Sequence, residues 1–177
     1  TYQTLAYKSQ MSDEDALPKE AFECTVSPDF VKLQHSSMIL NDDIATKMAE
    51  TLYNHIWIMY VNKTDYPFYT SDNPVVTIPH KRDKYISYGG FNSEGVEVAF
   101  PISSNLLLAM YEKTYYEKFL TDGRFMALTS KDDIDYYNCQ QVLHSNRCIF
   151  SGKYNFELAE EMCKKNPELQ KYQSHIE

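Results

Sequence analysis

The stretch that most constrains how this chain can fold is Tyr66-Pro67-Phe68-Tyr69-Thr70-Ser71-Asp72-Asn73-Pro74-Val75-Val76. Phe68 and Tyr69 have the aromatic character of a strand, and Val75-Val76-Thr77-Ile78 is β-branched throughout. Two extended pieces therefore meet at a tight polar turn. Ser71, Asp72 and Asn73 can each bond a nearby backbone amide, while Pro74 holds Asn73 out of the helical region.

Three readings of this tetrad differ in chemistry. As structure, its side chains satisfy amides exposed between two strands. As a catalytic or binding centre, Asp72 is a general base or metal ligand, Asn73 orients a substrate group, and Ser71 contributes to ligand binding. As a serine nucleophile, Ser71 lacks the Gly-x-Ser-x-Gly elbow and a partner histidine. All three stay open on the residues alone.

On either side of the turn the pattern predicts two long helices. Asn41-Asp42-Asp43 places a capping side chain before acids in a first turn, where the helix dipole favours negative charge. Ile44, Met48, Leu52, Ile56 and Met59 then recur every three or four residues, which predicts a helix over 42–60 widened by Tyr53 and Trp57. His55 shares that stripe, either as a core-edge histidine bonded to a neighbour or as a ligand-binding group. Ser130-Lys131-Asp132-Asp133 starts a second helix, over 132–147, with Ile134, Tyr137, Val142 and Leu143 on its buried side. Asn138 shares that face and needs a buried partner, so it is expected to reach the Ser71–Asn73 segment and to join the catalytic set with Asp72 and Asn73.

The remaining segments read as strands. Tyr85–Tyr88 and Val96–Phe100 flank the glycine-rich loop 89–95 as a hairpin closed by Pro101, and no Lys-Ser or Lys-Thr helix follows to make a phosphate-binding loop of it. Leu106–Met110 reads as a central strand, Tyr115–Leu120 as a brief helical turn, and Phe125–Leu128 as another strand. Cys148–Phe150 is a last extended piece, and Asn155 is the expected cap of a final helix. The fold class that follows is α+β: a mixed, mainly antiparallel sheet from 68–78, 85–100, 105–111 and 125–129, covered by the two long helices. Residues 1–40 read as an amino-terminal connector or surface-laid segment, 41–152 as the core domain, and 153–177 as a carboxy-terminal helix and tail.

Trp57, Phe68, Thr70-Ser71-Asp72-Asn73-Pro74-Val75, Phe100-Pro101-Ile102-Ser103 and Asn138 together resemble the bacterial domain-of-unknown-function family numbered 4238 over roughly residues 40–152. The Ser-Asp-Asn-Pro tetrad is the most specific part of the likeness, and the family's amino-terminal His-Tyr-Val-Pro type segment is missing. The resemblance implies a fold and a functional centre at the tetrad. It names no activity and no cofactor.

Charge narrows the partners. A net charge of −8 argues against a broad nucleic-acid footprint, which needs clustered Lys and Arg. One local exception follows the tetrad: Lys81, Arg82 and Lys84 could bind an anion. Cys24, Cys139, Cys148 and Cys163 are widely spaced, without Cys-x-x-Cys or a secretory leader, and are expected as reduced thiols of a cytoplasmic protein. Leu52–Val61, the most hydrophobic run, is too short and polar to span a bilayer. Two functional classes remain. One is a non-catalytic interaction or regulatory module whose partner is another protein or the missing amino-terminal part of a longer one. The other is a hydrolase or nuclease-like enzyme of bacterial stress or phage defence centred on Asp72 and Asn73. No metal-ligand spacing is present.

Overall fold

The computed structural model describes residues 36–37, 41–81, 83, 88–120 and 125–170. The chain divides into two compact units, Thr1–Ala45 and Thr46–Glu177, and the second holds all the strands described below. The expected connector 1–40 lies outside the described residues apart from 36–37, as does Cys24.

The helix that Asn41 caps is shorter than its periodicity predicts. Asn41 Oδ1 accepts the amides of Asp43 and Ile44 at 3.0 and 3.2 Å. The helix, α1, runs Asp42–Tyr53 and then gives way to strand β1, Ile56–Asn62. Ile-Trp-Ile-Met-Tyr-Val is both helix-compatible in spacing and strong in strand propensity, and pairing with a neighbouring strand decides the contest. α1 buries none of its residues.

Five strands form the main sheet in the order β3 (Val76–Pro79), β4 (Val96–Ser103), β5 (Leu106–Tyr111), β1, β6 (Phe125–Leu128). All neighbours are antiparallel except β1 and β6, so the sheet is mixed and mainly antiparallel. Strand β2 (Tyr69–Ser71) pairs instead with β7 (Ile149–Ser151) in a separate two-stranded sheet. The polar turn thus passes the chain from one sheet to the other. β4 takes β3 and β5 as its partners. Of the expected hairpin arm Tyr85–Tyr88, residues 85–87 lie outside the described residues, and Tyr88 is not in a strand. Pro101 does not close β4. The pairing with β3 begins only at Ala99, so the proline sits where that side of β4 has no partner to donate to.

Helix α2 (Lys113–Tyr116) follows β5, α3 (Lys131–His144) follows β6, and α4 (Glu157–Lys165) leads into a short 3₁₀ turn at Pro167–Gln170. Ser130 caps α3 by accepting the Asp132 amide, as its position predicts. α3 contributes buried residues to the main core: Ile134 and Tyr137 pack with Ile58, Tyr60, Phe68, Val76 and Ala109. Leu143, expected among its buried residues, is exposed. A smaller cluster joins Tyr69, Val142 and Ala159, with Phe156, Leu158 and Met162 packed around it. Phe156, not Asn155, is the residue before α4, and it makes no side-chain cap bond.

Candidate functional site

Ile134, Tyr137, Asn138 and Gln141 fall at i, i+3, i+4 and i+7, and one face of α3 therefore turns two apolar and two amide side chains inward. Each amide takes hold of the chain around the turn. Asn138 Oδ1 accepts the Tyr69 amide at 2.7 Å, and its Nδ2 donates to the Pro67 carbonyl at 3.0 Å. Gln141 Oε1 accepts the Ser71 hydroxyl at 2.9 Å, and its Nε2 donates to the Pro74 carbonyl at 2.9 Å. Asn138 is buried and amide-bonded as expected, but it meets the segment just before the tetrad. Gln141, one turn later and not singled out in the sequence, is the residue that reaches Ser71.

The other tetrad side chains close the carboxy-terminal end of the same helix. Helix ends expose carbonyls that lack partners within the helix. Asn73 Nδ2 donates to one of them, the His144 carbonyl, at 3.1 Å. Asp72 Oδ1 accepts the Asn146 amide at 3.0 Å, and the Asp72 amide donates to the Cys148 carbonyl at 3.1 Å. Arg147 Nε lies 3.9 Å from Asp72 Oδ2. Partial desolvation pushes the Asp72 carboxyl up, but the amides of Asn146, Arg147 and Cys148 outweigh it and hold the group below the usual carboxylate range. Ser71 Oγ also accepts the Asn73 amide at 3.2 Å. Together these bonds make a brace between α3 and the crossover from β2 to β3.

A second polar cluster was not legible as a site. Glu97 on β4 is 2% exposed and faces Ile78 on β3 and Tyr111 on β5. Its Oε1 accepts the hydroxyls of Tyr111 at 3.0 Å and Tyr137 at 2.8 Å, and its Oε2 lies 2.7 Å from His80 Nε2. Tyr60 and Tyr111 share a further hydroxyl bond at 2.9 Å. Burial first, and then the Glu97 charge, push the Tyr111 and Tyr137 hydroxyls well above their ordinary range. The strand Val96-Glu97-Val98-Ala99 is buried on both faces, and its alternation in sequence, which sets Glu97 opposite the valines, gave no local sign of that burial. A buried carboxylate demands hydrogen-bond donors, and three residues supply them here.

The basic segment is only partly described. Lys81 Nζ bonds Glu94 at 2.5 Å, so the nearest acid of the glycine-rich loop occupies it. Arg82 and Lys84 lie outside the described residues. Among the described residues, no group of three His, Cys, Asp or Glu could hold a metal ion. Cys139, Cys148 and Cys163 are free thiols. No described helix is long and apolar enough to cross a membrane.

These features define an α+β module in which an amide-bearing helix face braces a polar crossover between two sheets. The chain belongs to the family described as Protein of unknown function (DUF4238), which it matches over residues 4–155. That match begins well ahead of the 40–152 span over which the motifs resemble the family. No curated protein and no solved structure matches the chain.

Proposed function

We propose that the unit Thr46–Glu177 is a non-catalytic interaction module for a protein partner, and that the tetrad is its structural brace. The observation that carries this reading is the engagement of Asp72: its Oδ1 holds the Asn146 amide at the end of α3. The three tetrad side chains are each bonded to the helix or to the loop that ends it, which gives every one of them a structural task. Large exposed aromatics supply contact surface, among them Phe119 at 73% and Tyr154 at 95% exposure. Thermal melts of Asp72→Ala test the assignment. The brace reading expects a lower midpoint, because the amides at the helix end lose their acceptor. A raised midpoint, the behaviour of a strained functional carboxylate, sinks it.

The alternative, a hydrolase or nuclease-like enzyme, draws support from a different pair. His80 is half-exposed and its Nε2 is held by the buried Glu97 carboxylate, the arrangement in which a carboxylate orients an imidazole for proton transfer. That reading moves the base from Asp72 to His80. Hydrolysis of a phosphodiester or ester substrate that disappears in His80→Gln favours it, and no turnover by the parent protein removes it.

A further inference from the structure

The main sheet ends in two edge strands, β3 and β6, and they are unequally protected. An edge strand leaves a row of backbone amides and carbonyls unpaired, and proteins blunt such edges with proline, lysine or a cover. β3 carries Pro79, which has no amide to offer, and the chain runs on into Lys81. β6, Phe125-Met126-Ala127-Leu128, holds no proline and no charge. It is also exposed, with Phe125 at 74% and Met126 at 44%.

One side of β6 is paired, in parallel with β1. The Leu128 carbonyl accepts the Lys63 amide at 2.9 Å, so Leu128 turns its backbone groups toward β1. Successive residues of a strand alternate, and Met126 therefore points its groups the same way, while Phe125 and Ala127 turn theirs outward. Among the described residues nothing bonds these outward groups. By register the side chains of Phe125 and Ala127 share the sheet face that carries Met59 and Val61, and Phe125 lines an apolar cleft there with Trp57 and Met59.

We propose that β6 pairs antiparallel with β6 of a second copy of this chain, joining two five-stranded sheets across a twofold axis at Met126. A twofold contact requires a patch that complements itself, and β6 does so. With outward groups at Phe125 and Ala127, Phe125 exchanges backbone bonds with Ala127 of the partner subunit, and Ala127 with the partner's Phe125. A large ring then lies beside a small side chain on one face, and the two Met126 side chains meet on the other. The strand carries no charge that would select a foreign segment of opposite sign. The contact is short, at the low end of specific interfaces, below roughly 1,200 Å² in total, so the dimer comes apart on dilution. No tetrad residue takes part, so the dimer and the brace stand or fall separately.

Sedimentation equilibrium of the full chain from about 1 μM to 1 mM should show the mass doubling as concentration rises. Met126→Lys and Met126→Glu each set like charges opposite one another across the axis and should each weaken self-association about tenfold, while an equimolar mixture pairs opposite charges and should recover a heterodimer. Hydrogen exchange on the parent protein needs no variant: the Phe125 and Ala127 amides should gain protection as concentration rises. A mass that stays at one chain throughout overturns the proposal, and is the result expected if β6 instead receives a strand of a different protein. Self-association that both charge variants keep, a mixture of the folded variants that recovers no heterodimer, or Phe125 and Ala127 amides whose exchange ignores concentration overturns it equally.

Discussion

Asn138→Ala tests the brace most directly. The wild-type side chain is 3% exposed and pairs two backbone groups at once, the Tyr69 amide and the Pro67 carbonyl. Both belong to the segment leading into β2, and the alanine leaves both without partners. An unpaired buried backbone group costs about 1–3 kcal/mol, and water admitted to the small void recovers part of that, so the expected loss is about 2–4 kcal/mol. Urea denaturation followed by circular dichroism measures it, with the slope checked against the parent protein to show that the denatured state is unchanged. Gln141→Leu removes the next pair of bonds along the helix and should cost a similar amount. Because the two amides hold one continuous segment, the double variant should depart from additivity by more than about 0.5 kcal/mol. A loss below about 1 kcal/mol for Asn138→Ala, at unchanged slope, refutes the reasoning: the crossover would then be held by strand pairing alone.

Three further outcomes follow from particular contacts. Glu112 caps α2 by accepting the amides of Thr114 and Tyr115 and the Thr114 hydroxyl, and it also accepts the Gly95 amide. Desolvation raises its carboxyl, but these bonds prevail and lower it from 4.5. Glu112→Gln should therefore lose about 1 kcal/mol at neutral pH, and the gap to the parent protein should narrow as pH falls below 4.5, where the wild-type carboxylate takes up its proton and its advantage disappears. Glu97→Leu leaves the Tyr111 and Tyr137 hydroxyls without their acceptor and should cost about 2–5 kcal/mol in denaturant melts, whereas a neutral result would show that the carboxylate is itself an uncompensated burden. At alkaline pH the sign runs the other way. Tyr60, Tyr111 and Tyr137 are all raised from 10.0 chiefly by burial, so the unfolded chain releases their protons first and stability should fall steadily as pH rises past 10.0. Stability unchanged well above that pH would mean these hydroxyls are not buried together.

Local signals settled the elements whose cause is local. Asn41 and Ser130 cap helices because a short polar side chain ahead of an apolar repeat can bond the first free amides, and no distant residue is needed. Leu106–Tyr111 declared itself a central strand by its continuous apolar run, and the mixed, mainly antiparallel sheet followed from the number and kind of strands. The tetrad was legible as a turn, and its small polar residues showed that it needed partners. Which partners was decided elsewhere. Residues 52–61 satisfy helical and strand periods at once, so only pairing with β5 on one side and β6 on the other made Ile56–Asn62 a strand. No local rule places β2 and β3 in different sheets, because strand partnership joins residues about eighty positions apart, as with Ser71 and Ile149. Glu97 reads as one polar residue in an alternating strand. Its meaning comes from His80 just after β3, Tyr111 on β5 and Tyr137 on α3, which surround it only once the sheet and α3 have come together.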